Sequence, residues 1–237
     1  AGPNTTLNAI VAEAFCEAAD ILEKADDFDL AVHDLIKEYM TKHQRIVFNG
    51  NGYSDEWVKE AEKRGLPNIK SMIEAASTLT SDKAVALFEK FGIYTEAELK
   101  SREEIIYETY AKSINIEALT MIDMAGKQII PAVVKYTKVL ADSVNAVKAA
   151  GADAAVQTDL LKQVSKKLEA MQKALVKLEK AEAKGSAMTD AKEQAFYYKD
   201  TVMTVMAELR KPADELEMIV DKELWPLPTY GELMFEV

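Results

Sequence analysis

Cysteine is almost missing from this sequence: Cys16 is the only one in 237 residues. A lone thiol excludes an intrachain disulfide framework and fits a reducing, cytoplasmic setting. Histidine is nearly as scarce, with His33 and His43 ten positions apart and no Cys or Glu at metal-ligand spacing. No Glu-x-x-His pair occurs, which removes the di-iron reading of a helical bundle. Positive charge is in deficit too: 29 basic residues face 40 acidic ones, a net charge of −11. Nucleic acid and anionic membrane surfaces are therefore poor partners. Nowhere do 18 uncharged apolar residues run together, so no membrane-spanning helix is expected. No basic segment leads into an apolar core at the N-terminus, so no signal peptide is read there. Glycine and proline number only 9 and 6.

What is present favours helix. Hydrophobic residues make up 49% of the chain, charged residues 29%, and Ala, Glu, Lys, Leu and Met are abundant. The chain opens on Ala1-Gly2-Pro3-Asn4 without an initiator Met, which mature processing or excision would both explain; an excised portion is the favoured reading. Asn4 or Thr5 is the expected cap of a first helix. Its Leu7, Ile10, Val11, Ala14, Phe15, Ala18, Ile21 and Leu22 follow a 3.6 period. Ala25-Asp26-Asp27 breaks it, and a second helix carries Val32, Leu35, Ile36, Tyr39 and Met40 on one side. Ile46-Val47-Phe48 is the only strand-like run, and it enters the Asn49-Gly50-Asn51-Gly52 turn or loop. Ser54 caps a short helix ending at Gly65, and further short helices reach Gly92.

From Thr95 the pattern lengthens. Thr95-Glu96-Ala97-Glu98 is a capping box, and no strong stop follows before Gly151 except Pro131, which should kink or break the helix near Ile130. A second long helix is expected from about Ala154 to Ala183, stopped by Gly185-Ser186. The last is capped by Thr189, interrupted at Pro212 and ends before Trp225-Pro226. Leu161, Val164, Leu168, Met171, Leu175 and Leu178 step by 3-4-3-4-3 as a seam of a/d type. Tyr198, Val202, Val205, Leu209, Leu216 and Ile219 carry a second seam, and Ile129, Val133, Tyr136, Leu140, Val144 and Val147 a third. The expected fold is all-α: long antiparallel helices in an elongated three-helix bundle, or a four-helix one if Pro131 folds the chain back. Shorter helices and the strand-like segment precede it.

Few residues suggest chemistry. Cys16 falls near the apolar side of its helix, where a buried, inert thiol is expected; both histidines read as surface or boundary residues. The Asn49–Gly52 loop has two readings: a structural turn, which is favoured, and a ligand contact at the start of the next helix. No Lys-Ser or Lys-Thr follows it as in a P-loop. Ser113, Glu117, Thr120, Asp123 and Lys127 form one polar stripe on an otherwise apolar helix. It reads as a solvated stripe, or else as a polar seam in which Glu117 or Asp123 fixes docking to another domain. The aromatic, Pro-rich ending from Trp225 to Phe235 should pack on the bundle or on a neighbour.

Several segments resemble type III glutamine synthetase: Gly2 to Glu13, Arg45 to Trp57, Ile114 to Ala125 and Trp225 to Gly231, spread in order over the chain. The stretch from about Ala149 to Lys192 carries no such resemblance and rests on its heptads. The resemblance implies an enzyme that ligates ammonia to glutamate through γ-glutamyl phosphate, using ATP and Mg or Mn, and assembled as a double-ring dodecamer. It also implies the limits of this chain. The family's metal-binding glutamates lie on several strands, and its Lys-Pro and Asn-Gly-x-Gly-x-His signature is absent; Ser54 stands where the histidine would be. No catalytic, cofactor-binding or metal-binding residue is carried over.

Residues 1–52 are accordingly expected to be the helical tail of the catalytic domain, 53–94 connecting helices, and 95–237 an elongated bundle with a Pro/aromatic tail. Its partners would be the rest of the subunit and neighbouring subunits, and alone it should be inactive. The alternatives are a stand-alone helical scaffold or interaction module and, third, a small-ligand binder using the Asn-Gly loop.

Overall fold

The computed structural model describes residues 2–228 and 230–235; Ala1, Thr229, Glu236 and Val237 lie outside the described residues. The chain is all-α, with no strand among the described residues. It divides into two compact units, the first running through Ile105 and the second from Ile106.

The first unit holds α1 (Gly2–Leu22), α2 (Phe28–Lys42), α3 (Asp55–Lys63), α4 (Met72–Ala76), α5 (Asp82–Lys90) and the start of α6 (Glu96–Met124). Local signals set most of their ends. Side chains of Asp27, Ser54, Ser71 and Ser81 accept the free amides of the helices they precede. Gly92 closes α5 at φ 61°, a conformation that costs any side-chained residue. The capping box at α6 is formed as its spacing demands: the Thr95 amide donates to the Glu98 carboxylate at 2.8 Å, and the Glu98 amide to the Thr95 hydroxyl at 3.3 Å. A small core joins α1, α5 and α6 through Ala9, Phe88 and Leu99.

Two expectations fail here. Asn4 and Thr5 do not cap α1, which already begins at Gly2; Pro3 suits a first turn because it has no amide to leave unpaired. Ile46-Val47-Phe48 forms no strand. Gln44–Ile46 is a 3₁₀ turn, residues 47–49 are irregular, and the Val47 carbonyl is taken at 2.8 Å by an Arg64 guanidinium N–H instead of a neighbouring strand.

The second unit is a three-helix bundle. Its first rod is the remainder of α6, continued by α7 (Ile130–Ala149); its second is α8 (Ala155–Ser186). The third comprises α9 (Ala191–Tyr197) and α10 (Met203–Glu217), and a short α11 (Tyr230–Phe235) follows. Gly151, at φ 78°, makes the turn between α7 and α8. Helix α8 packs on both α7 and α10. The three seams meet as expected: Val133, Val164, Met171, Leu178, Tyr198, Val202, Leu209 and Leu216 are almost fully buried in one core. Lys167–Glu215, half-buried, and Lys177–Glu208, exposed, pair across the α8/α10 seam; pairs this accessible to solvent add little stability.

Pro131 coincides with an interruption of the α-helix just before Ile130, as expected, but does not fold the chain back. Ala125–Ile129 forms a π turn, in which the Ile130 amide reaches the Ala125 carbonyl, and the helix resumes with proline in its first turn, where no donor is needed. Pro212 lies buried inside an unbroken α10, and that rod's irregularity falls instead at a second π turn, Tyr198–Val202. The cap of the third rod is Asp190, not Thr189: its carboxylate accepts the Glu193 amide at 2.8 Å. Gly185 belongs to the last turn of α8. A Cβ there would stand 3.0 Å from Cζ of the buried Tyr198 ring, so this glycine serves close packing.

Gly185→Ala should therefore destabilise the bundle by about 1–2 kcal/mol through overpacking. Gly126→Ala, whose new methyl meets only Leu175 at an ordinary 3.8 Å, should stabilise it by up to about 1 kcal/mol. Urea unfolding of the two variants checks both signs. Glu98 titrates below its ordinary value because the Thr95 amide, and then its hydroxyl, donate to the carboxylate. That contribution is complete above the ordinary carboxylate pKa and disappears as pH falls through the lowered one. Glu98→Gln should lower the melting temperature at pH 7, and the gap from the parent should close in strongly acidic buffer.

Candidate functional site

The Asn-Gly loop is held from both ends by its own neighbours. Asn51 Oδ1 accepts the Tyr53 amide at 3.0 Å, and the Ser54 amide donates to the Asn51 carbonyl at 3.2 Å. Phe48 and Trp57 stack with ring centroids 4.1 Å apart, closing the loop at its base. Arg64 ties the assembly together: it lies 5.7 Å from the Trp57 centroid, pairs with Glu60 at 2.7 Å and donates to the Val47 carbonyl. A Cβ at Gly50 would stand 2.6 Å from Cζ of Phe48, so the backbone passes too close to the ring for any side chain. The N-terminus of α3 offers no vacancy for an anion. The Ser54 hydroxyl accepts the Trp57 amide, and Glu56 titrates below its ordinary value because its own amide, then Ser54, donate to it. The geometry is that of a structural turn.

Other singled-out residues are dispersed. His33 and His43 are exposed, with His33 Nδ1 3.3 Å from Asp34. Cys16 is half-buried, not the buried thiol expected, because the part of α1 around it has little packed over it. Ser113, Glu117, Thr120, Asp123 and Lys127 are all exposed, and Asp123 pairs with Lys127 along the helix. The solvated-stripe reading describes them. Among the described residues no group of three or more His, Cys, Asp or Glu is placed to hold a metal ion.

Two surfaces stand out. The first is α1 itself. Leu7, Val11 and Phe15 are 61%, 52% and 72% exposed, Ile10 and Ile21 are exposed too, and only Ala9 of the helix is buried. At 100° per residue these exposed side chains form one stripe, the face its periodicity marks for burial. Phe28, Leu30, Ile36 and Met40 of α2 are also uncovered. Apolar side chains grouped on one exposed helix face differ from the singly scattered ones of an ordinary surface. The second is the C-terminal segment, which packs on the bundle through Leu224, Trp225 and Leu227, as its composition suggests, while Met234 and Phe235 of α11 remain exposed. Sequence periodicity located the α1 stripe but could not show that these side chains stay exposed among the described residues.

These features define an all-α chain of two helical units. The glutamine synthetase C-terminal domain family matches residues 31–148. A glutamine synthetase of Butyrivibrio fibrisolvens is 42% identical over 214 residues, covering 90% of this chain and 31% of the relative. A type-3 glutamine synthetase of Dictyostelium discoideum is 33% identical over 98% of this chain and 33% of its own length. A glutamine synthetase of Bacteroides fragilis is 32% identical over 91% and 30%. The chain belongs to the glutamine synthetase family, over its C-terminal region. It spans about a third of the length of the curated relatives it matches. No helix among the described residues is long and apolar enough to cross a membrane.

Arg64→Ala should loosen the loop without unfolding the bundle. Limited proteolysis should then cut residues 45–53 faster than in the parent, with the α8 core equally resistant in both.

Proposed function

We propose that this chain is the C-terminal helical portion of a type III glutamine synthetase, a subunit region that supports assembly or regulation and has no activity alone. The observation that carries the reading is the uncovered apolar stripe of α1. A helix that presents Leu7, Val11 and Phe15 to water calls for a partner; the relatives are about three times as long, which supports the rest of the subunit as that partner. Residues 1–52 then form the helical tail of the catalytic domain, 53–94 connect, and 95–237 are the bundle. ATP, Mg or Mn and the glutamates that hold them belong to the other part of the subunit, as does ligation of ammonia to glutamate. Neighbouring subunits are the remaining partners, and the cytoplasm is the setting. A free-standing scaffold has less support, because the family likeness extends over nearly the whole chain.

Two experiments bear on this. A γ-glutamyl transfer assay of the 237-residue chain with ATP and Mg or Mn should show no turnover; measurable turnover overturns the reading. Phe15→Asp should shift the melting temperature of the isolated chain by no more than about 2 °C, as for other exposed positions. In the whole synthetase the same substitution should abolish assembly, read by light scattering. A whole enzyme that assembles normally with Asp at this position contradicts docking through α1.

A further inference from the structure

A cavity of about 410 Å³ opens in the second unit between α6, α10 and the C-terminal segment. Its floor is the bundle core itself: Met171 and Leu209 are almost completely buried, and Ala125 and Ile129 come from the first π turn. Met121 and Met124 form one wall, and Trp225, Leu227 and Leu233 close over the top. The volume falls in the range of small-molecule sites, and so does the lining, apolar with a few polar groups at the edge. Methionine thioethers adapt to varied apolar shapes, and π turns recur where helices build such sites.

The polar edge selects charge. Arg210 and Asp214 both line it, and Arg210 Nε donates to Asp214 at 3.2 Å, so their opposite charges offset each other at the rim. Glu217 also lines the cavity, and among the described residues it forms no ion pair. It is the last residue of α10, whose final turn has no basic residue. A carboxylate there faces the negative end of the helix dipole, an unfavourable position that a cation would relieve. The Trp225 ring adds a π face that attracts ammonium groups, and the chain's net charge of −11 draws cations to it.

We infer that this cavity is a binding site for a small hydrophobic amine. The apolar ring or chain lies over Met171 and Leu209 beneath Trp225, and the ammonium group pairs with Glu217. The site lies wholly within the second unit and is independent of how α1 docks.

The test uses the full chain carrying Trp57→Phe, which leaves Trp225 as the only tryptophan. 2-Phenylethylamine should change Trp225 emission saturably, phenylacetate should not, and neutral 2-phenylethanol should bind more weakly than the amine. Glu217→Gln should weaken the amine about tenfold, the loss of one ion pair in a partly apolar site, and leave 2-phenylethanol unchanged. Ala213→Phe, which fills the cavity from its α10 wall, should abolish both responses. Glu217 is exposed, so its substitution keeps the test valid should Ala213→Phe disturb folding. No saturable response to the amine overturns the proposal, as does amine binding undiminished by Glu217→Gln.

Discussion

The second unit depends on the seam of α8. Val164, Met171, Leu175 and Leu178 present one continuous apolar edge, and the other two rods close over it with Val133 and Leu140 from one side and Val202, Leu209 and Leu216 from the other. Each buried side chain of this size contributes about 1.5–3 kcal/mol relative to exposure, before ordering costs. No charged side chain sits fully buried among the described residues to fix the register. Alignment along the rods therefore falls to shape, with Gly185 receiving the Tyr198 ring and Lys167 and Lys177 bridging to α10.

Both π turns follow from the same demand. A rod that must keep its seam against α8 while carrying a proline or a bulky aromatic can insert one wider turn at low cost and resume in register. At Ala125–Ile129 the wider turn comes just before Pro131, whose missing amide then falls in the first turn of α7. At Tyr198–Val202 it seats two seam residues, Tyr198 and Val202, in the core. The first of these turns also opens the cavity under Trp225, so a device that preserves packing creates a concave, apolar surface in the same step.

Much of this was legible in the sequence, and the reasons are local. Ser54, the Thr95–Glu98 box, Gly65, Gly92 and Gly151 each act on amides or carbonyls within a few residues, so composition alone places them. The three heptad seams were legible because a 3-4 spacing has one low-energy use in water. The misreadings concern choices between near neighbours or distant partners. Thr189 and Asp190 are both competent caps, and only the path of the incoming chain selects the carboxylate. Pro212 reads as an interruption because its missing amide is visible in sequence, whereas the buried ring packing on the seam is not. Ile46-Val47-Phe48 has strand propensity without a strand to pair with, and Arg64 takes the carbonyl that a ladder would have used. For the candidate site, periodicity outlined the apolar stripe of α1 while giving no means of knowing that the structure leaves it bare.

That bare stripe supports the proposal that a larger part of the same subunit covers this chain. The most direct measurement is the nucleotide sequence of the reading frame upstream of the codon for Ala1. The account predicts an open frame encoding roughly the remaining two thirds of a glutamine synthetase, with metal-site glutamates and the Lys-Pro and Asn-Gly-x-Gly-x-His signature. An initiator Met immediately before Ala1 would contradict it.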